Sequence, residues 1–111
     1  MLKEAKLAMQ VDAEEYEAEI AALLMSAAND LKIAGVVING DVTFSVANDK
    51  IVDNCTVTDE LVKRALITYA QANANWQPEA KAARFRASYD EQKTQLMHAT
   101  GYTDFGESDS E

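Results

Sequence analysis

Three stretches in which apolar residues recur at offsets of three and four, divided by one β-branched interval and one proline, confine this chain to a mainly α-helical bundle. The stretch Thr58–Trp76 (TDELVKRALITYAQANANW) sets Leu61, Ala65, Leu66, Tyr69 and Asn73 along one face, which makes it the natural packing axis. Thr58 reads as its cap, with Asp59 and Glu60 at the positive end of the helix dipole and Lys63 and Arg64 a turn later, placed to pair with them on the solvent side. Asn73, Asn75 and Pro78 stop it, because Pro78 lacks an amide hydrogen and disfavours helical geometry at Gln77.

The other helices follow by the same reasoning. Residues 2–9 form a short helix with Leu2, Ala5 and Met9 on one side, too short to persist without tertiary contacts. Asp12 reads as the cap of a long helix from Ala13 to about Ala34, with Tyr16, Ile20, Leu23, Leu24, Ala27 and Leu31 as its stripe and Gly35 as its terminator. A third long helix runs from Glu79 to about Thr100, with Pro78 at its entry. Its stripe is Ala82, Phe85, Tyr89, Gln92 and Leu96, with Lys81, Arg84, Arg86 and Lys93 facing outward and Gly101 ending it.

Between the first two long helices, Val36–Val57 changes character. Two β-branched runs flank Asn39, Gly40 and Asp41, the strongest turn signal in the chain, so this insertion is a small β-hairpin or a long loop with extended segments. The expected organisation is a single helical domain over residues 1–100, with 36–57 inserted, and a flexible acidic tail over 101–111. Long insertions and exposed ends are where partner contacts concentrate, which singles out Asn39, Gly40, Phe44, Tyr102 and Phe105. Trp76 either closes the end of the helical core or anchors a subunit contact, and the core reading weighs more.

Chemistry is sparse. His98 is the single histidine and sits near a helix end, where the dipole favours a cation; Cys55 has no histidine near it and reads as a half-buried loop thiol. The carboxylates from Glu14 to Glu19 lie on a polar helix face without histidine partners, so a solvated face outweighs a metal or acid–base site. No nucleotide-binding, zinc-hydrolase or paired-cysteine motif occurs, and the expectation is no enzyme, no metal and no cofactor. The net charge of −9, concentrated toward both ends, opposes adhesion to a phosphate backbone. A single cysteine fits a reducing compartment. No signal peptide precedes the first helix and no apolar run approaches the roughly 18 residues of a membrane span, so a soluble protein made in a cytoplasm is expected.

The layout resembles the head-to-tail connector (adaptor, head completion) proteins of long-tailed bacteriophages and prophages. The resemblance is carried by Val11, Asp12, Tyr16, Ile20 and Ala27-Ala28 in the first long helix, and by Val62, Ala65, Leu66, Asn75 and Trp76 in the second. The interval Val36–Val57 is longer and more strand-like than that pattern. The resemblance implies a structural subunit without catalysis or cofactor, forming a ring, commonly of twelve copies, stacked on the portal protein. Such a ring extends the DNA exit channel and docks the next head completion (stopper) or tail protein. DNA would be a passing, non-specifically contacted duplex, and the protein would reside at the head–tail interface of the virion after assembly in the host cytoplasm. The alternative from a different class is a small acidic regulatory or inhibitory protein, a DNA mimic occupying the basic cleft of a host enzyme.

Overall fold

The structure, a computed structural model, describes residues 1–11 and 14–98. Its elements run α1 (Leu2–Met9), a 3₁₀ turn (Glu14–Tyr16), α2 (Glu17–Ile33), β1 (Phe44–Ala47), β2 (Lys50–Asp53), α3 (Glu60–Asn73) and α4 (Glu79–His98). Helix α3 lies in the middle, packed against α1, α2 and α4, while α2 and α4 flank it. The core gathers Ile20, Leu24, Leu31, Val62 and Leu66, all essentially removed from solvent, around a floor of alanines that lets the helices approach closely.

Helix ends obey local chemistry. At the end of α2, the Gly35 amide donates to the Lys32 carbonyl (3.0 Å) and the Val36 amide to the Leu31 carbonyl (2.9 Å), with Gly35 at φ 94°. That is a Schellman stop, closed by contact between the buried Leu31 and Val36. Helix α1 ends in the same motif with Gln10 in the left-handed position (φ 59°), where a side chain is unfavourable. Gln10→Gly therefore raises stability by about 0.5–1 kcal/mol, measured as a shift of the denaturant midpoint at constant slope.

Four expectations are corrected. Helix α3 starts at Glu60 and its cap is Asp59, not Thr58: the Asp59 carboxylate accepts from the Leu61 and Val62 amides (2.9 and 3.2 Å), and a charged acceptor outcompetes a hydroxyl. The face of α3 is also rotated. Leu61 is 53 % exposed and Asn73 is exposed, whereas Val62, Ala65, Leu66 and Ala70 are buried, because a helix with partners on both flanks needs a wider stripe than the periodicity marked. The first long helix is α-helical only from Glu17, with the 3₁₀ turn before it; the proposed cap Asp12 and start Ala13 lie outside the described residues. The hairpin exists, but it turns at Asn48–Asp49 and not at Asn39–Gly40–Asp41. Asn48 (φ 53°) and Asp49 (φ 63°) both take the left-handed conformation that a two-residue hairpin loop requires, and Asn and Asp tolerate it best after glycine.

The interval Asn39–Asp41 forms the base of the hairpin instead. Gly40 sits at φ 113°, and a Cβ there would lie 2.9 Å from the backbone of Thr56 and Val57. Beyond it the two arms stay paired below the strands proper: the Thr56 amide donates to the Asp41 carbonyl (2.9 Å) and the Asn54 amide to the Thr43 carbonyl (3.0 Å). Phe44 and Ile51, on the face turned inward, pack against the core.

Candidate functional site

The residues singled out for partner contacts fall in three places. Trp76 is partly buried, with its ring 4.6 Å from that of Tyr16, and it closes the end of the core formed by α2 and α3. Beside it Glu19 holds Asn75 at two points, accepting from its amide and from its side chain (3.0 Å each), so the α3–α4 connection is tied to α2. Asn39 and Gly40 are exposed at the hairpin base, and Phe44 is half-buried above them. Tyr102 and Phe105, like Gly101, lie outside the described residues. The structure thus brings Asn39, Gly40 and Phe44 into one substructure and sets Trp76 outside it, against Tyr16.

The hairpin is fastened to α1. Asp53 Oδ2 accepts from the Met1 amino group and from the Leu2 amide (2.8 Å each), while Oδ1 accepts from the Cys55 amide (2.9 Å). Burial alone would raise this carboxyl; its donors outweigh that and hold it well below the usual carboxylate range. Cys55 donates its thiol to the Thr43 carbonyl (3.5 Å), and burial, reinforced by the nearby Asp53 carboxylate, pushes the thiol up to about 11, so it stays protonated and unreactive. A cleft of about 380 Å³ opens between α1 and β2, lined by Lys3, Lys6, Leu7, Val11 and Ile51 among others.

Ion pairs engage part of the acidic surface. Lys6 holds Glu17 (2.6 Å), Lys50 faces Glu14 (3.6 Å), and Lys63 reaches across to Glu4 of α1 (2.7 Å) more closely than to Glu60 (3.5 Å), its expected partner. Between α2 and α4, Asp30 accepts from the Tyr89 hydroxyl (2.6 Å) and the Lys93 ammonium (3.2 Å), which also lies over the Tyr89 ring; Lys93 therefore joins helices where an outward position was expected. Burial alone would raise the Asp30 carboxyl, but the two hydrogen bonds outweigh it and hold it below the ordinary 3.8. Burial, with the Asp30 carboxylate beside it, pushes the Tyr89 hydroxyl far above its ordinary 10.0.

These directions make a pH prediction. A lowered carboxyl contributes stability that is present above its unfolded value and lost as pH falls through the folded one; a raised phenol contributes stability that is present below pH 10.0 and lost as pH climbs past it. Tyr89→Phe costs about 1 kcal/mol at pH 7, the low end for a hydrogen bond to a charge because Asp30 is 38 % exposed and solvent screens it. The gap between parent and variant, followed by urea melts, narrows both below pH 4 and above pH 10.

Two surfaces escape the sequence reading. Phe85, assigned to the α4 core stripe, is outside the core cluster and half-buried in a surface cleft of about 370 Å³ lined by Lys81, Arg84 and Ser88. The signal was present: a position with cations four and one residues before it and another one residue after is ringed by charge. The second is the outer face of α2, where Ala18, Ala22, Met25, Ser26, Asn29 and Ile33 are all exposed and all uncharged, with Met25 at 42 % and Ile33 at 78 %. Those residues recur at the same helical offsets as the core stripe, half a turn away.

Among the described residues no helix is long and apolar enough to cross a membrane, and no group of three or more His, Cys, Asp or Glu side chains is placed to hold a metal ion. No curated protein and no solved structure matches the chain. The family model described as "Phage connector protein" matches residues 1–103, nearly the whole sequence, with both resemblance-bearing helices inside the match. The chain therefore belongs to the phage connector protein family, whose members are structural components of the virion.

Proposed function

We propose that copies of this chain close into a ring, of twelve members by the resemblance, which sits on the portal protein, prolongs the DNA exit channel and docks the next head completion or tail protein. The observation that carries the reading is the outer face of α2. A helix apolar on one side and, but for Lys32 at its edge, uncharged on the other is suited to burial on both, and here only one side is covered within the chain. Shape agrees: the subunit measures 49 × 35 × 19 Å, and its radius of gyration of 14.5 Å exceeds the roughly 13 Å of a compact globule of this length. Helices α2 and α4 present different outward faces, so a head-to-tail contact would join unlike edges of adjacent copies, the geometry that closes by rotation.

The hairpin segment with Asn39, Gly40 and Phe44, the end of the core at Trp76, and the acidic tail with Tyr102 and Phe105 are the proposed points of contact with ring neighbours, portal and tail. A channel of acidic subunits repels phosphate, so the duplex slides through without adhering. The DNA-mimic alternative needs a continuous row of unneutralised carboxylates; Glu4, Glu14, Glu17, Asp30 and Glu79 each hold a cation, which speaks against it.

Met25→Asp tests the ring. The residue is exposed, so the melting temperature of the isolated subunit stays within about 0.5 kcal/mol of the parent in stability terms. Rings counted by electron microscopy, with and without portal, fall sharply, because the variant buries an unpaired carboxylate at the contact. Rings in undiminished number would remove the α2 face from the interface.

A further inference from the structure

We propose that the acidic C-terminal segment of one copy, residues 101–111, docks through Phe105 in the cleft formed by Lys81, Arg84, Phe85 and Ser88 on helix α4 of a second copy. The inference rests on the ring reading in one respect only, that copies lie side by side.

Charge selects the occupant. In a chain of net charge −9, neither Lys81 nor Arg84 has an acidic partner among the described residues, whereas Arg86, two residues further on, is held by Glu79 (2.9 Å). These two cations border a half-buried aromatic ring in a cleft of about 370 Å³. The complementary ligand is an aromatic side chain flanked by carboxylates. The segment GYTDFGESDSE supplies one, with Asp104 immediately before Phe105 and Glu107 two residues after it. Phe105 against Phe85 adds a ring–ring contact, and each carboxylate meets a cation at the rim.

Chain length decides which copy supplies the segment. From His98 back to Phe85 the axis of α4 covers about 20 Å. Residues 99–105 would have to reverse direction, which takes a turn of about four residues, and the remaining three or so span about 10 Å at full extension. The backbone of Phe105 therefore stops short of Phe85 on its own helix, which favours the cleft of a neighbour.

The test uses the full chain carrying Cys55→Ser, so that no native thiol interferes. Copies with Ser88→Cys are mixed with copies carrying Gly106→Cys, assembled in the presence of portal and mildly oxidised. A disulfide-linked dimer on a non-reducing gel is the expected product, since docking brings the two backbones within bonding range. Adding Lys81→Glu and Arg84→Glu to the first copy lowers its yield at least tenfold, and adding Asp104→Lys and Glu107→Lys to the second restores it. Rings without the cross-link would overturn the docking and leave the ring standing. A loop closed within one chain, in the Ser88→Cys/Gly106→Cys double variant at dilutions where the protein is monomeric, would overturn the assignment to a neighbour. Cross-linking that ignores the charge reversals would overturn the recognition by Lys81 and Arg84. Neither rings nor cross-link would overturn both readings.

Discussion

Leu24→Asp abolishes cooperative folding. Leu24 is fully buried on the inner face of α2, within the core cluster it shares with Ile20, Leu31, Val62 and Leu66. Removing the leucine alone costs about 2–5 kcal/mol through lost burial and the cavity left behind. The carboxylate then adds either the penalty of an unpaired buried charge or, if it protonates, that of a polar group without a partner, a further ~2 kcal/mol or more. A domain of this size holds roughly 5–15 kcal/mol in all, and the buried neighbours in the cluster, Ile20, Leu31, Val62 and Leu66, are aliphatic and offer the carboxylate no partner. Circular dichroism with thermal melting reads the outcome: helical signal falls at 20 °C and no sigmoidal transition remains. The adjacent Met25→Asp serves as the control, since it places the same charge on the exposed face. The reverse order, with Met25→Asp unfolding and Leu24→Asp melting like the parent, would mean that α2 is turned the wrong way about its axis.

Leu24 and Met25 also mark what could be read from the chain alone. The inner stripe of α2, the stop at Gly35 and the entry at Pro78 were legible because each is decided within a few residues: periodicity, a left-handed glycine, a ring with no amide hydrogen. The Pro78 carbonyl accepts from the Ala82 amide (2.9 Å), as a residue at the head of a helix should. What escaped was decided by neighbours distant in sequence. The rotation of α3 toward Val62 depends on its packing partners α1, α2 and α4, and Lys63 binds Glu4, some sixty residues away, more closely than its local partner Glu60. Phe85 carries the right spacing for the core, but α4 is longer than α3, and its first two turns have only Ala82 buried. The outer face of α2 was overlooked for a different reason. Periodicity marks the apolar side that faces the core and gives no sign of an opposite face that is exposed yet short of charge.

Functional legibility follows the same division. The residues that carry the family resemblance include Tyr16, Asn75 and Trp76, which meet at one junction: the Tyr16 and Trp76 rings lie in tilted contact, and Asn75 is clasped by Glu19. The pattern thus records how the ends of α2 and α3 are joined, and that junction holds the flanks of the slab in fixed relation. Asp30, Tyr89 and Lys93 perform the equivalent task between α2 and α4. In the proposed ring both fastenings would matter, because a few degrees of play per contact accumulate around a closed circle.

Gly40→Ala detaches the hairpin while sparing the helices. The turn signal around Gly40 was strong in sequence and formed a different structure, because the glycine is needed for close approach as well as for backbone conformation. Its φ of 113° is a region that side-chain-bearing residues rarely adopt, and the added Cβ would stand 2.9 Å from three backbone atoms of Thr56 and Val57. Those atoms cannot swing aside as the end of a flexible side chain could. Backbone strain of about 1–3 kcal/mol combines with overpacking of similar size. The cheapest relief is to separate the two arms, which breaks the hydrogen bonds that Asp41 exchanges with Thr56 (2.9 Å between backbone atoms, 2.7 Å to the hydroxyl) and frees Val57 from the core edge. An isolated two-stranded hairpin is marginal in water, so β1 and β2 loosen with their base. Amide hydrogen exchange then shows protection lost by a hundredfold or more at Asn54 and Thr56, while the amides of Leu24, Leu31 and Leu66 keep theirs to within the small change in global stability. If Gly40→Ala leaves Thr56 protected, the close approach is not required; if it unprotects Leu66 as well, the hairpin and the helices form one cooperative unit and the base is part of the core.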